Sequence, residues 1–107
     1  MSMHRTFNIL CQIGACDTKA QFSRYWLGSS EGYFTSLEAR KRLPNMMAMI
    51  GLAARLELLA DRLMADPRYR EHACLLDTLI DDLWDEMRAR ALAAAPKRRA
   101  GSNTCRA

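Results

Sequence analysis

The sequence predicts an all-α fold of about five helices, and three observations carry that expectation. Leu, Ala, Met and Arg dominate while Val is absent. Straight-chain side chains lose little rotamer freedom in a helix, whereas β-branched ones suit strands. Apolar residues recur at steps of three and four along most of the chain, the period of a helix face. Gly14, Thr18, Gly28, Pro44-Asn45 and Asp66-Pro67, residue types that stop or start helices, fall between those periodic stretches. At 107 residues, half of them apolar, the chain suits one domain with a modest core.

Taken in order, Phe7, Leu10 and Cys11 share a face over residues 5–13, and Gly14 stops that first helix. Thr18 followed by Gln21 is a capping-box pattern, with Asp17 an alternative cap, and the second helix runs to about Leu27 with Phe22 and Trp26 inward. Gly28 turns the chain, and Ser29 or Ser30 caps a third helix from about Glu31 to Arg40. Pro44 pushes Leu43 toward an extended conformation. Asn45 then caps a fourth helix whose stripe is Met49, Ile50, Ala53, Leu56, Ala60 and Leu63. Asp66-Pro67 opens a fifth, with Tyr69, Ala73, Leu76, Ile80, Leu83 and Met87 in its stripe and Leu79 and Trp84 widening it. The segment 96–107, PKRRAGSNTCRA, has no apolar period and reads as a flexible basic tail.

Charge is distributed by segment. Residues 1–45 carry six Lys/Arg against three Asp/Glu, 66–95 carry four against seven, and 96–107 carry four against none. The basic ends suit a polyanion, which the acidic stretch would face away from.

The third helix keeps only Phe34 and Leu37 clearly apolar, too little for a buried element, and it ends in Arg40-Lys41-Arg42. A capped helix, a small-residue turn, a polar helix and an Asn-capped apolar helix follow one another in the order of a helix-turn-helix DNA-binding unit. In such a unit the second helix braces a third whose N-terminal residues enter the major groove. The fifth helix has two readings. Its stripe packs on the fourth helix, or it makes a homodimer through residues 66–95 that presents two recognition helices to two half-sites. Its acidic face, Asp77, Asp81, Asp82, Asp85 and Glu86, is a solvated surface or a docking site for a basic protein partner.

The residues Thr18 and Gln21-Phe22-Ser23, the run from Leu27 to Glu38, Pro44-Asn45-Met46, Leu52-Ala53 and Leu56 resemble the Cro/repressor-type (XRE-like) helix-turn-helix family, over residues 18–56. The resemblance implies a bacterial transcriptional regulator. It implies base contacts from Glu31, Gly32, Thr35 and Ser36, and places Lys19, Ser30 and Tyr33 near phosphates. From charge, Arg24, Arg40, Lys41, Arg42 and the tail residues Lys97, Arg98 and Arg99 are candidates to neutralise phosphates. The other reading of Arg40-Lys41-Arg42 is a solvated helix end favoured by the dipole. One departure stands out. Phe22 and Leu27 are five residues apart where the family spaces that pair by four, so the second helix or its turn is one residue longer.

The expected function is therefore sequence-specific binding of double-stranded DNA by residues 1–65, with 66–95 completing the core or dimerising. An adaptor or antiactivator on the same scaffold is the alternative. No Gly-rich phosphate loop or paired Cys-x-x-Cys occurs, and His72 and Cys74 provide only two of the four ligands a structural zinc needs. No enzymatic role, metal or cofactor is expected. Cys11 and Cys74 are expected as small core residues and Trp26 and Trp84 as core anchors. No apolar run approaches the ~20 residues of a membrane span, and the start lacks a signal peptide, so a cytoplasmic location is expected.

Overall fold

The computed structural model describes residues 3–94, and the expected basic tail, 96–107, lies outside them. The fold is all-α. Its elements are α1 (Met3–Ile13), α2 (Lys19–Gln21), a π-helical turn (Phe22–Trp26), α3 (Tyr33–Arg40), α4 (Met46–Met64), a 3-10 turn (Pro67–Tyr69) and α5 (Arg70–Ala93). No helix among the described residues is long and apolar enough to cross a membrane.

Helix ends follow the local chemistry. Gly14 (φ 86°) ends α1 in a Schellman turn, with the Ala15 N–H donating to the Leu10 carbonyl at 2.9 Å and that of Gly14 to Cys11 at 3.1 Å. Thr18 caps α2, its hydroxyl accepting from the Gln21 N–H at 3.0 Å. The reciprocal bond of the capping box is displaced by one residue, since Gln21 Oε1 accepts from Asp17 N–H. Asn45 caps α4 by accepting from the Ala48 N–H at 2.9 Å. Asp66 caps the 3-10 turn ahead of α5 by accepting from Arg68 N–H at 3.0 Å.

Between Phe22 and Leu27, five residues apart, the second helix widens into a π-helical turn. The Leu27 N–H reaches back five residues to the Phe22 carbonyl at 3.0 Å, which is a π-turn. Gly28, at φ 64°, then takes the left-handed conformation that releases the chain toward α3.

The expected start of the third helix needs correction. It begins at Tyr33, not at Glu31, and neither Ser29 nor Ser30 caps it; the position before it, Gly32, makes no side-chain cap. The Tyr33 N–H instead closes a turn onto the Ser30 carbonyl at 3.0 Å. The next amide, that of Phe34, is met by the buried Ser23 hydroxyl of the π-turn at 2.9 Å.

At its other end α3 closes in the same Schellman turn that ends α1. The Arg42 N–H donates to the Leu37 carbonyl at 2.9 Å and the Lys41 N–H to Glu38 at 3.2 Å, with Lys41 at φ 53° where α1 has a glycine. A side chain with a Cβ is disfavoured there. Lys41→Gly is therefore expected to raise stability by about 0.5–1 kcal/mol, read as a higher urea midpoint at unchanged slope. An unchanged or lower midpoint would show that Lys41 carries no such strain.

The core is continuous. Ala73, Leu76, Leu79, Ile80, Leu83 and Met87 of α5 are buried, as are Ala48, Met49, Leu52, Ala53, Leu56 and Ala60 of α4. These two long helices make the most extensive helix pair among the described residues. The α5 stripe is thus covered within one chain. Several expected core residues lie outside it. Ile50, beside the line of the α4 stripe, is 39% exposed, and Cys74 and Tyr69 are exposed. Trp84 is 39% exposed, at the edge of the surface that α4 covers, and its indole N–H donates to Glu57 Oε2 at 3.4 Å. Trp26 is buried as expected, and Cys11 is half-buried against the core.

Candidate nucleic-acid interface

The third helix is held from beneath by aromatic rings drawn from three helices. Phe22 and Phe34 meet edge-on at 4.8 Å between centroids, and Phe7 of α1 contacts both, at 5.5 and 5.4 Å. Offset and edge-on pairs of this kind add to the simple burial of the rings. Ser23 adds a polar tie. Its hydroxyl donates to the Lys19 carbonyl at 3.0 Å and accepts from the Phe34 N–H, so a fully buried side chain has both functions used. Tyr33, half-buried, fixes the far side: its phenol oxygen accepts from the Asn45 N–H at 2.9 Å, linking α3 to the start of α4.

This support leaves Thr35, Ser36, Ala39 and Arg40 exposed on the outer side of α3, with Lys41 and Arg42 exposed beyond it. The outer face is built of small groups, Thr35, Ser36 and Ala39, so another surface can approach the backbone closely. The three cations that follow enter no ion pair among the described residues. Glu31 and Gly32 are exposed too, but in the turn before α3 and not in its first helical turn.

Among the described residues, most of the other expected phosphate contacts already have partners. Lys19 Nζ lies 2.8 Å from Glu38 Oε1, and His4 Nδ1 lies 2.7 Å from Glu38 Oε2, so one carboxylate of α3 joins α2 and α1. The Lys19 ammonium foremost, with His4 adding to it, holds the Glu38 carboxyl below the usual carboxylate range. The stabilisation this provides is present above the carboxylate's unfolded pKa and is lost as pH falls through the lower folded value. Arg24 pairs with Glu31 at 3.3 Å, both side chains being about two-thirds exposed. Surface pairs of that kind contribute about 0–1 kcal/mol, so a phosphate could displace Glu31. Tyr33 has committed its oxygen to Asn45 and keeps only its own O–H to give a phosphate. The Ser30 carbonyl is taken by the Tyr33 N–H, and Ser30 itself is exposed.

Sequence reasoning missed Arg55. Its guanidinium crosses Gly51 and donates to the Trp26 carbonyl at 3.3 Å, tying α4 to the end of the π-turn. The available signal was the run Arg55, Leu58, Leu59, Arg62, which repeats at i, i+3, i+4 and i+7 on a face of α4 other than its buried stripe. Among the described residues no group of His, Cys, Asp and Glu is arranged to hold a metal.

No curated protein and no solved structure matches the chain. A family model described as a family of unknown function (DUF6626) matches residues 3–96.

Proposed function

Since that match spans most of its length, the chain belongs to this family of unknown function, and we propose that it binds double-stranded DNA as a transcriptional regulator, laying α3 in the major groove. The observation that carries the reading is the outer face of α3. It consists of small polar or apolar groups, is continuous with the three unpaired cations Arg40, Lys41 and Arg42, and is backed by a rigid aromatic and hydrogen-bonded support. A helix of that width fits the major groove, and small side chains allow it to sit deep. The Cro/repressor-type resemblance of residues 18–56 agrees with that placement. Relative to such an arrangement α3 starts two residues late, so base contacts fall to Thr35 and Ser36, while Glu31 and Gly32 approach from the preceding turn.

The test is duplex binding by fluorescence anisotropy, with DNA from upstream of the gene compared with a randomised pool at two salt concentrations. Thr35→Ala with Ser36→Ala should narrow the preference for the bound sequence by about 1–3 kcal/mol per lost base contact, leaving binding to the random pool unchanged. Equal loss on both DNAs would reduce the interaction to charge attraction and remove the specific reader.

A second reading, an adaptor or antiactivator, draws on the groove between α4 and α5. Glu57, Asp61, Asp77 and Asp81 line it above Ala60 and Ile80, and none of the four carboxylates forms an ion pair among the described residues. Such a groove suits a basic partner. Duplex binding that is weak, indifferent to sequence and abolished by salt would favour it over the DNA reading.

A further inference from the structure

We propose that the cleft between the π-turn and α4 binds a small aromatic anion, a carboxylate or phosphate carried on an apolar ring. The inference concerns a surface other than the outer face of α3 and does not depend on DNA binding.

The cleft has a volume of about 550 Å3, within the ~300–1,000 Å3 of small-molecule sites. Three guanidinium groups, those of Arg24, Arg55 and Arg62, line it, and no carboxylate does. Arg55 uses one nitrogen on the Trp26 carbonyl, which leaves the rest of its five N–H donors for a ligand. Arg62 enters no ion pair among the described residues, and Arg24 has only the exposed Glu31. Arg55 and Arg62 have no carboxylate partner among the described residues and Arg24 has only a surface one, so an anion between the three is favoured, and guanidinium matches the flat, two-oxygen edge of carboxylate or phosphate.

A second observation points to a ligand independently of charge. Trp26 also lines the cleft and is 4% exposed, yet its indole Nε1–H has no acceptor among the described residues. Buried donors are nearly always paired, so an acceptor for this N–H is favoured, and the cleft that the Trp26 ring lines offers a route for one. The apolar part of the ligand is specified by Tyr25 and Leu58, which are 64% and 61% exposed at its edge, and by Leu59. An aromatic ring would cover them and could stack on the guanidinium planes. Because the indole is buried, the acceptor has to be a small group, which favours a free small molecule over the backbone of a duplex.

The test uses the full chain labelled with 15N, in which the two tryptophans give two indole N–H signals and Trp84→Phe assigns that of Trp26. The probes are 3-phenylpropionate, benzyl phosphate and the neutral 3-phenylpropionamide. At least one anion should shift the Trp26 indole signal saturably at millimolar concentration while the amide does not, and the tighter of the two anions identifies the head group. Arg62→Gln, at an exposed position with no hydrogen bond or ion pair among the described residues, should weaken that binding about tenfold, and Leu58→Glu, also exposed, should weaken it as well. The proposal is overturned by silence toward both anions, by an equal response to the amide, or by full affinity in both variants. If Arg62→Gln weakens duplex binding while no anion shifts the indole, the cleft belongs to the DNA backbone and the proposal also fails.

Discussion

Phe34→Ala is expected to destabilise the protein by about 3–5 kcal/mol, the range for deleting a buried aromatic side chain. The ring is 1% exposed and meets Phe22 at 4.8 Å and Phe7 at 5.4 Å. Its loss would remove the one side chain through which α3 touches both α2's continuation and α1 in the aromatic cluster. A domain of this size has only about 5–15 kcal/mol of stability in all. The substitution therefore consumes a large share of it. Ser23→Ala provides the graded comparison. It keeps the rings and leaves the buried Phe34 N–H without its acceptor, at a cost of about 1–3 kcal/mol. Urea titration followed by far-UV circular dichroism should place the midpoints in the order wild type, Ser23→Ala, Phe34→Ala. Should Phe34→Ala lose less than Ser23→Ala, the aromatic cluster would not be what holds α3.

The second large effect falls on DNA affinity. Arg40→Gln, Lys41→Gln and Arg42→Gln in one chain should make the dependence of log affinity on log salt shallower by about 0.9 for every phosphate the three side chains neutralise, so by about 2.7 if all three do. The fold should survive. The Schellman turn at that end uses the backbone N–H groups of Lys41 and Arg42, which glutamine retains, and none of the three side chains forms an ion pair among the described residues. Affinity should fall on every duplex alike, since phosphates carry no sequence information. An unchanged slope would make these cations a solvated helix end and would turn attention to the acidic groove between α4 and α5.

Much of the fold could be read from residue types because it rests on local rules. A cap is a single side chain meeting an amide two or three residues on, so Thr18, Asn45 and Asp66 were recognisable, as was Gly14 at a left-handed stop. The inner face of α3 was equally legible. With two apolar residues three apart, Phe34 and Leu37, a helix has only one way to face the core, and Thr35 and Ser36 then had to be exposed. The same period identified the core residues of α5.

The start of α3 was misplaced because the sequence pattern looked for its cap in the preceding serines. The acceptor is Ser23, eleven residues earlier on another helix, and no local rule reaches that far. Ile50 and Trp84 were misread for a related reason: periodicity identifies a stripe, but its width depends on how closely the partner helix covers it.

By itself, then, the sequence determined the helices, most of their ends and which side of α3 is apolar, since these follow from hydrogen bonding and periodicity within a few residues. Only the tertiary structure decided which charges remain free. Lys19 and Arg24 pair with Glu38 and Glu31, and Arg55 was drawn to a carbonyl twenty-nine residues away. The same packing gathered Arg24, Arg55 and Arg62 around a single cleft. Long side chains find partners by proximity in space, and proximity between helices is set by the packing of the core.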